Sequence, residues 1–462
     1  MSLDLLVRGG MVVSPRQTFC AGVGIKDGRI VAVGDAAYMP EADRTVDASG
    51  LYVLPGVIDP HYHVMDWIAP GNEIIRSETT SSLVSGVTTI GLFVNWRGDQ
   101  DPERFVQQNI ARWEANGVTD VFFHLSIRDP RGVVGLDRFP PLGVNTFKFL
   151  LGYRGVQASA AGIHQIDDGD LFAGFEQVAK LGGGARALVH AENGDIAGFL
   201  GDRLKATGRN DFRLWNESRP GFVEAEAMRR SLYLARVLGC PLYFPHTTIA
   251  EGVEIAREAW TQGQDVVVET CPQYLTHTSE DPIPLFLEQA TLGNVNPPLR
   301  SRRDVEALWS GLGSGVVQTV GSDCASTTRK EKGSDMWNSV MGLGNTSNMI
   351  LPVLLSEGVH KGRLTLPQVV AIACYNPARI FNIYPRKGEV VVGADGDLVI
   401  VDLERKVRIT PSLLQSRCDW TIYDGWEVRG WPVVTIKGGQ VVVEGGRVLA
   451  KPCTGRFLPR SH

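Results

Sequence analysis

The chain has 462 residues, 43% of them hydrophobic and 21% charged, with 52 glycines and 25 prolines. That length accommodates one large α/β domain with a smaller companion, and the glycine content points to tight turns and close backbone approaches. A formal net charge of −5 at pH 7 excludes a general nucleic-acid binder, which needs a basic face.

The opening segment, Met1-Ser2-Leu3-Asp4-Leu5, has no basic stretch leading into an apolar core, so no secretory leader is expected. No apolar run approaches membrane-spanning length, so no membrane partner is expected. Seven cysteines (20, 240, 271, 324, 374, 418 and 453) are scattered without a C-x-x-C pair. That pattern predicts reduced thiols and a cytoplasmic location.

Residues 1–55 read as short strands with turns: Leu5–Arg8, Met11–Val13, Ala21–Ile25 and Arg29–Gly34, the last two joined by an Asp27-Gly28 hairpin signal. The same texture returns over 385–450, in Glu389–Gly393, Asp397–Val401, Val433–Ile436 and Gln440–Val443. Neither piece has enough strands for a core alone, so the two are expected to form one split β-sandwich domain, with 451–462 as a C-terminal tail.

Between them, over 56–384, short apolar runs alternate with amphipathic stretches such as Val223–Leu238 and Ala250–Ala259. Eight runs can be placed: 56–59, 87–90, 121–123, 146–149, 187–190, 242–244, 266–269 and 316–320. Eight βα units in series predict a (β/α)8 TIM barrel within an α/β protein. A doubly wound open sheet is the runner-up, weakened because no Gly-rich dinucleotide fingerprint follows the first strand.

Chemistry-bearing residues fall at the ends of these runs. His61-Tyr62-His63 closes the first strand, and side chains at i and i+2 share a face, so both imidazoles, with Asp59 behind them, can point into the barrel. Lys148 lies inside the apolar run Thr146-Phe147-Lys148-Phe149-Leu150, where an ammonium is costly and a depressed pKa is the usual escape. A neutral amine there can react with carbon dioxide to give a carbamate, an oxygen ligand able to bridge two metal ions. A lysine snorkelling from the strand end is the alternative. His190, His246 and Asp323 end the fifth, sixth and eighth runs. Taken alone each is an ordinary polar strand end; together they make a ligand set for two borderline divalent ions, zinc first, then manganese, cobalt or iron. Two such ions can hold a bridging hydroxide and polarise a carbonyl, and Asp323 can shuttle a proton to a departing nitrogen. His124 faces the barrel without a partner pattern, and His164, His277, His360 and His462 have none either. Cys271 and Cys324 read as packing residues.

On these residues the chain resembles the amidohydrolase superfamily, and within it the cyclic amidohydrolases of the D-hydantoinase and dihydropyrimidinase type, with allantoinase next. The resemblance runs through Pro55–His63, Phe147-Lys148, Val189–Asp195, Ser218-Arg219-Pro220, Glu269–Leu275, Pro297–Arg300, Gly321–Asp323, Ser356–Val359, Lys387-Gly388 and Gly393–Val399. It implies hydrolysis of a small cyclic amide, a dihydropyrimidine or 5-substituted hydantoin ring, with allantoin or a cyclic imide as alternatives. It implies that carboxylated Lys148 bridges two ions, one on His61, His63 and Asp323, the other on His190 and His246. Tyr153 would donate to the oxyanion, and Asn296, with Gly342 as a weaker counterpart, would meet the substrate amide. A homotetramer or dimer is implied. Dihydroorotase-like members carry an arginine two residues after the His-x-His pair, where this chain has Met65, which argues against carboxylate recognition of that kind. Met65, Trp67, Phe93 and Trp96 are the candidates for lining the substituent pocket. The same fold also occurs in dihydropyrimidinase-related interaction proteins that lose their ligands; retention of all six ligand candidates argues against that reading here.

Overall fold

The computed structural model describes residues 2–154, 162–209 and 211–460. Its centre is a parallel barrel of strands Val57–His63, Val87–Trp96, Asp120–Ile127, Thr146–Leu150, Arg186–His190, Leu242–Phe244 and Val266–Thr270, each paired with the next. Closure is made by two short pieces. Thr319–Val320 pairs with the seventh strand, and Cys324–Ala325 pairs with the first at Tyr62 and His63. The apolar run at 316–320 therefore marks the eighth strand but overstates its regularity. The ladder breaks over Gly321–Asp323, and Asp323 adopts a φ of +49°. Gly321 N still donates to Thr270 O at 3.0 Å, and packing there is tight: a Cβ on Gly321 would lie 2.4 Å from Glu269 Oε2 and 2.8 Å from His61 Cβ. Glycine alone lets the backbone pass that close.

Helices cover the outside, among them Gly221–Leu238 and Ala250–Thr261, which agree with the amphipathic stretches read from the chain. The barrel's floor is apolar. Ile58, Phe122, Leu188, Tyr243 and Val267 point inward and are capped by Phe381, Ile383 and Leu458. The tail reaches the barrel wall here: Leu458 N donates to Val121 O at 2.7 Å, and buried Arg460 donates to Phe123 O and to Thr146 Oγ1. His462 lies outside the described residues.

The terminal segments meet in one seven-stranded sheet. Leu398–Val401 pairs antiparallel with Tyr52–Pro55, which pairs parallel with Met11–Val12. A four-stranded sheet from the N-terminal segment alone packs against it, and Leu5, Val7, Val23 and Ile25 share a core with Leu398, Ile400 and Ile436. Residues 389–393 are not a strand; Val390 packs into that core while Gly393 N donates to Ile30 O. Barrel and sheet are joined by a buried ion cluster. Lys387 Nζ lies 2.7 Å from Asp120, 2.9 Å from Asp395 and 2.6 Å from Asp397, and Lys437 lies 2.7 Å from Asp120.

Candidate metal centre and substrate cavity

The first strand continues past Asp59 to His63, so both histidines are strand residues at the C-terminal mouth of the barrel. Asp59 Oδ1 accepts from His61 N at 3.1 Å and from Ser322 N at 3.0 Å, which ties this strand to the broken eighth one. The result is convergence. His61 Nε2 and His63 Nε2 are 3.2 Å apart and lie 3.0 and 3.1 Å from the same oxygen, Asp323 Oδ1. Lys148 Nζ is 3.4 Å from His61 Nε2, and His190 Nδ1 is 2.9 Å from His246 Nε2. The ligand atoms of His61, His246 and Asp323 all lie within 4.8 Å of one another, a group that could hold a metal ion.

Two carboxylates behind the cluster aim these rings. His61 Nδ1 donates to Glu269 Oε1 at 2.7 Å, and the same oxygen accepts from His246 N at 3.1 Å. Tyr243 donates to Glu269 Oε2 at 2.6 Å, and His190 Nε2 donates to Glu192 Oε2 at 2.7 Å. With the outer nitrogen held by an acceptor, the inner nitrogen of His61 and of His190 keeps its lone pair for the centre, the arrangement by which proteins orient metal-bound imidazoles. Burial acts on the same groups. It pushes His63 down to about 4 and lowers His190 and His246. Burial and Lys148 push His61 down too, but Asp323 and Glu269 more than reverse this. Burial brings Lys148 down to about 8, within reach of a neutral amine. The donor set, four imidazoles, a carboxylate and a depressed lysine, fits borderline divalent ions.

The cluster opens into a cavity of about 240 Å³. His63, Lys148, His190, His246 and Asp323 face it, as do Tyr153, Asn296 and Gly342. The Tyr153 ring is 5.2 Å from that of His190, and burial raises its phenol to about 12, so it stays a proton donor at neutral pH. Asn296 Oδ1 accepts from Trp215 Nε1 and Arg219 Nε, while its Nδ2 has no partner among the described residues. Gly342 has a φ of +101°, and a Cβ there would lie 2.5 Å from that of Ala325.

Of the four residues expected to line the substituent pocket, Met65 and Trp67 face the cavity, with Trp67 half-exposed at its rim. Phe93 and Trp96 do not line it; both belong to the strand Val87–Trp96 and are buried among its neighbours. Phe93 supports the centre from beneath: its ring stacks on His63 at 5.0 Å and on His124 at 4.7 Å, with Lys148 Nζ 4.5 Å from its centroid. Trp96 is core, packed edge-on against Phe105 and Phe139, each at 5.1 Å. His124 is satisfied by Thr146 and the Pro60 carbonyl, His277 by the Ile422 carbonyl and His360 by the Leu403 carbonyl. Sequence reasoning missed Glu192 and Glu269 as aiming groups. It also missed Arg128 and the segment Trp337–Met341 as cavity wall. A carboxylate two residues beyond His190 was a usable signal for Glu192. Arg128 offered none, since its neighbours come from other strands.

A model of the amidohydrolase family matches residues 222–442. A D-hydantoinase of Ralstonia pickettii is 32% identical, with 99% of each chain covered. An allantoinase of Rubrobacter xylanophilus is 34% identical over 99% of this chain and 98% of its own. Among solved structures, a D-hydantoinase superposes with a TM-score of 0.91 at 31% identity, covering 99% of both chains. A dihydropyrimidinase from Brevibacillus agri gives 0.89 at 29% identity, covering 99% of this chain and 98% of that one. Barrel, strand-end cluster and whole-chain similarity lead to one assignment: this chain belongs to the amidohydrolase family, among its cyclic amidohydrolases of the hydantoinase and dihydropyrimidinase type.

Proposed function

We propose that this hydrolase opens the ring of a dihydropyrimidine or 5-substituted hydantoin with two divalent ions per chain, zinc first among the candidates. The observation that carries the reading is the convergence of His61, His63 and Asp323 beside the His190–His246 pair, around a buried lysine at the floor of a cavity. His61, His63 and Asp323 would hold one ion and His190 and His246 the other, and Lys148, carboxylated by carbon dioxide, would add an oxygen ligand to the set. When bound, the ions supply Lewis acidity at the ring carbonyl and lower the pKa of an attacking water.

The protein's own groups do the rest. Tyr153, with its proton secured by burial, donates to the oxygen that gains charge in the tetrahedral state. Both histidine contacts of Asp323 use Oδ1, which leaves Oδ2 to carry the proton from water to the departing ring nitrogen. The Asn296 amide nitrogen orients the ring amide; Gly342, whose N–H donates to Asn294 O and whose carbonyl accepts from Lys332, adds the second lone pair of that carbonyl. Opening of allantoin is the second reading, favoured by whole-chain similarity to an allantoinase. We assign the chemistry to 56–384 and a supporting role to 1–55 with 385–450, with 451–462 as an appended tail, in a cytoplasmic homo-oligomer.

The test is a ring-opening screen over dihydrouracil, 5-substituted hydantoins, allantoin, dihydroorotate and cyclic imides, with zinc- and manganese-loaded protein. Turnover of a hydantoin or dihydropyrimidine is expected. Metal-loaded protein that opens none of these rings would contradict the reading.

A further inference from the structure

Arg128 follows the third barrel strand directly, is only 6% exposed and lines the cavity. Its Nε donates to Asn95 Oδ1 at 2.8 Å, and its guanidinium carbon lies 6.0 Å from the centroid of the Trp67 ring. Neither terminal nitrogen donates to any group among the described residues, and no described carboxylate pairs with it. Asp129, next in sequence, is committed to Arg131 at 2.8 and 2.9 Å, and Asp66, which precedes Trp67, to Arg112. Arg460 is also buried without a carboxylate, but its guanidinium donates to Gly143 O, Thr146 Oγ1 and Phe123 O, and two further buried arginines carry ion pairs. Arg186 pairs with Asp265 at 2.8 Å, and Arg300 with Glu224 at 3.1 Å. Burial lowers Arg128 only to about 10, so the cavity wall carries a full positive charge at neutral pH. A desolvated cation without a counter-ion is expensive for the fold. A carboxylate supplied by a ligand matches the free edge of the guanidinium bidentately.

We propose that Arg128 is a specificity-determining residue that binds a carboxylate on the ring substituent of the substrate. This rests on the cyclic-amide reading above and narrows it to rings bearing a short acidic arm. The flanking wall supports an arm and not a second polar ring. Met65, Leu150 and Ile163 are apolar, Trp67 offers an aromatic face, and Arg128 supplies the charge. The cation therefore enters from the third strand end, in a chain whose first strand end has Met65 in place of an arginine.

The test compares 5-(2-carboxyethyl)hydantoin and 5-carboxymethylhydantoin with their neutral carboxamides, in the metal-loaded protein and in Arg128→Met and Arg128→Lys. Steady-state ring opening and calorimetric binding are both measured. The wild type is expected to favour a carboxylate over its carboxamide by on the order of 10- to 100-fold, expressed mainly in KM. Arg128→Met should bring that ratio towards one, and Arg128→Lys should retain part of it. Ring opening with no charge preference in the wild type, or a preference that survives Arg128→Met, overturns the assignment and leaves the cyclic-amide reading intact. Charge-selective binding that depends on Arg128, without ring opening of any probe, supports the assignment and counts against the 5-substituted hydantoin as the ring opened. Binding of neither carboxylate overturns the assignment as well.

Discussion

In the proposed reaction Lys148, Glu269 and Tyr153 take separate parts at the level of single side chains. Glu269 touches no part of the cavity, yet one of its oxygens holds both the His61 ring and the His246 backbone. Glu269→Gln keeps the shape and removes the charge that fixes the His61 tautomer. It should weaken metal affinity by roughly 10- to 100-fold, read by competition with a chelator; unchanged affinity would reduce Glu269 to a packing role. Tyr153→Phe removes one donor while the ring remains. Turnover should fall by on the order of 10²–10³-fold with metal content unchanged, whereas an unaltered kcat would reassign the tyrosine to packing against His190.

Among the elements, the broken eighth strand shows where the chain was legible and where it was not. Runs such as Val266–Thr270 could be read directly, because a strand buried in a parallel barrel is continuously apolar. The histidines could be read because strand ends at one mouth recur in chain order. The demand for glycine at 321 is a tertiary effect, set by Glu269 and His61 approaching from the neighbouring strands, and no local pattern encodes it. Gly321→Ala tests that account: overpacking should cost about 1–3 kcal/mol of stability by urea unfolding and displace Asp323, lowering metal content as well. A variant with wild-type stability and metal would show that the strand tolerates a side chain there. Trp96 was misplaced for a related reason. The apolar run at 87–90 marks only the start of a strand that runs on to residue 96, and Phe105 and Phe139 complete a core around the ring. Arg128 is invisible for the converse reason, since what makes it unusual is the lack of a carboxylate partner among the described residues, which only the assembled barrel reveals.

At the scale of the whole molecule, the sandwich and the barrel are held together by charge as well as by apolar contact. Burial alone would raise Asp120, but the ammonium groups of Lys387 and Lys437 outweigh it and hold the carboxyl at about 2. A carboxylate whose folded pKa is depressed stabilises the fold above its unfolded value near 4 and loses that contribution as pH falls towards 2. Asp120 should therefore contribute about 2 kcal/mol at neutral pH that disappears across this acid window, seen as a steep acid limb in urea midpoints; a flat profile between pH 4 and 2 would contradict it. Lys387→Met should cost about 3–5 kcal/mol by urea unfolding, because it leaves buried Asp397 without its counter-charge and Asp120 with Lys437 alone.

All of this positions one centre at the barrel mouth, and its nuclearity depends on the least ordinary of its residues. The decisive measurement is metal content per chain, by plasma emission spectroscopy, of wild type and Lys148→Ala purified with zinc and bicarbonate. Two ions per chain in the wild type, and loss of the pair in Lys148→Ala, are predicted. A wild type that takes up no divalent metal, or a Lys148→Ala variant that keeps both ions, would contradict the two-metal account.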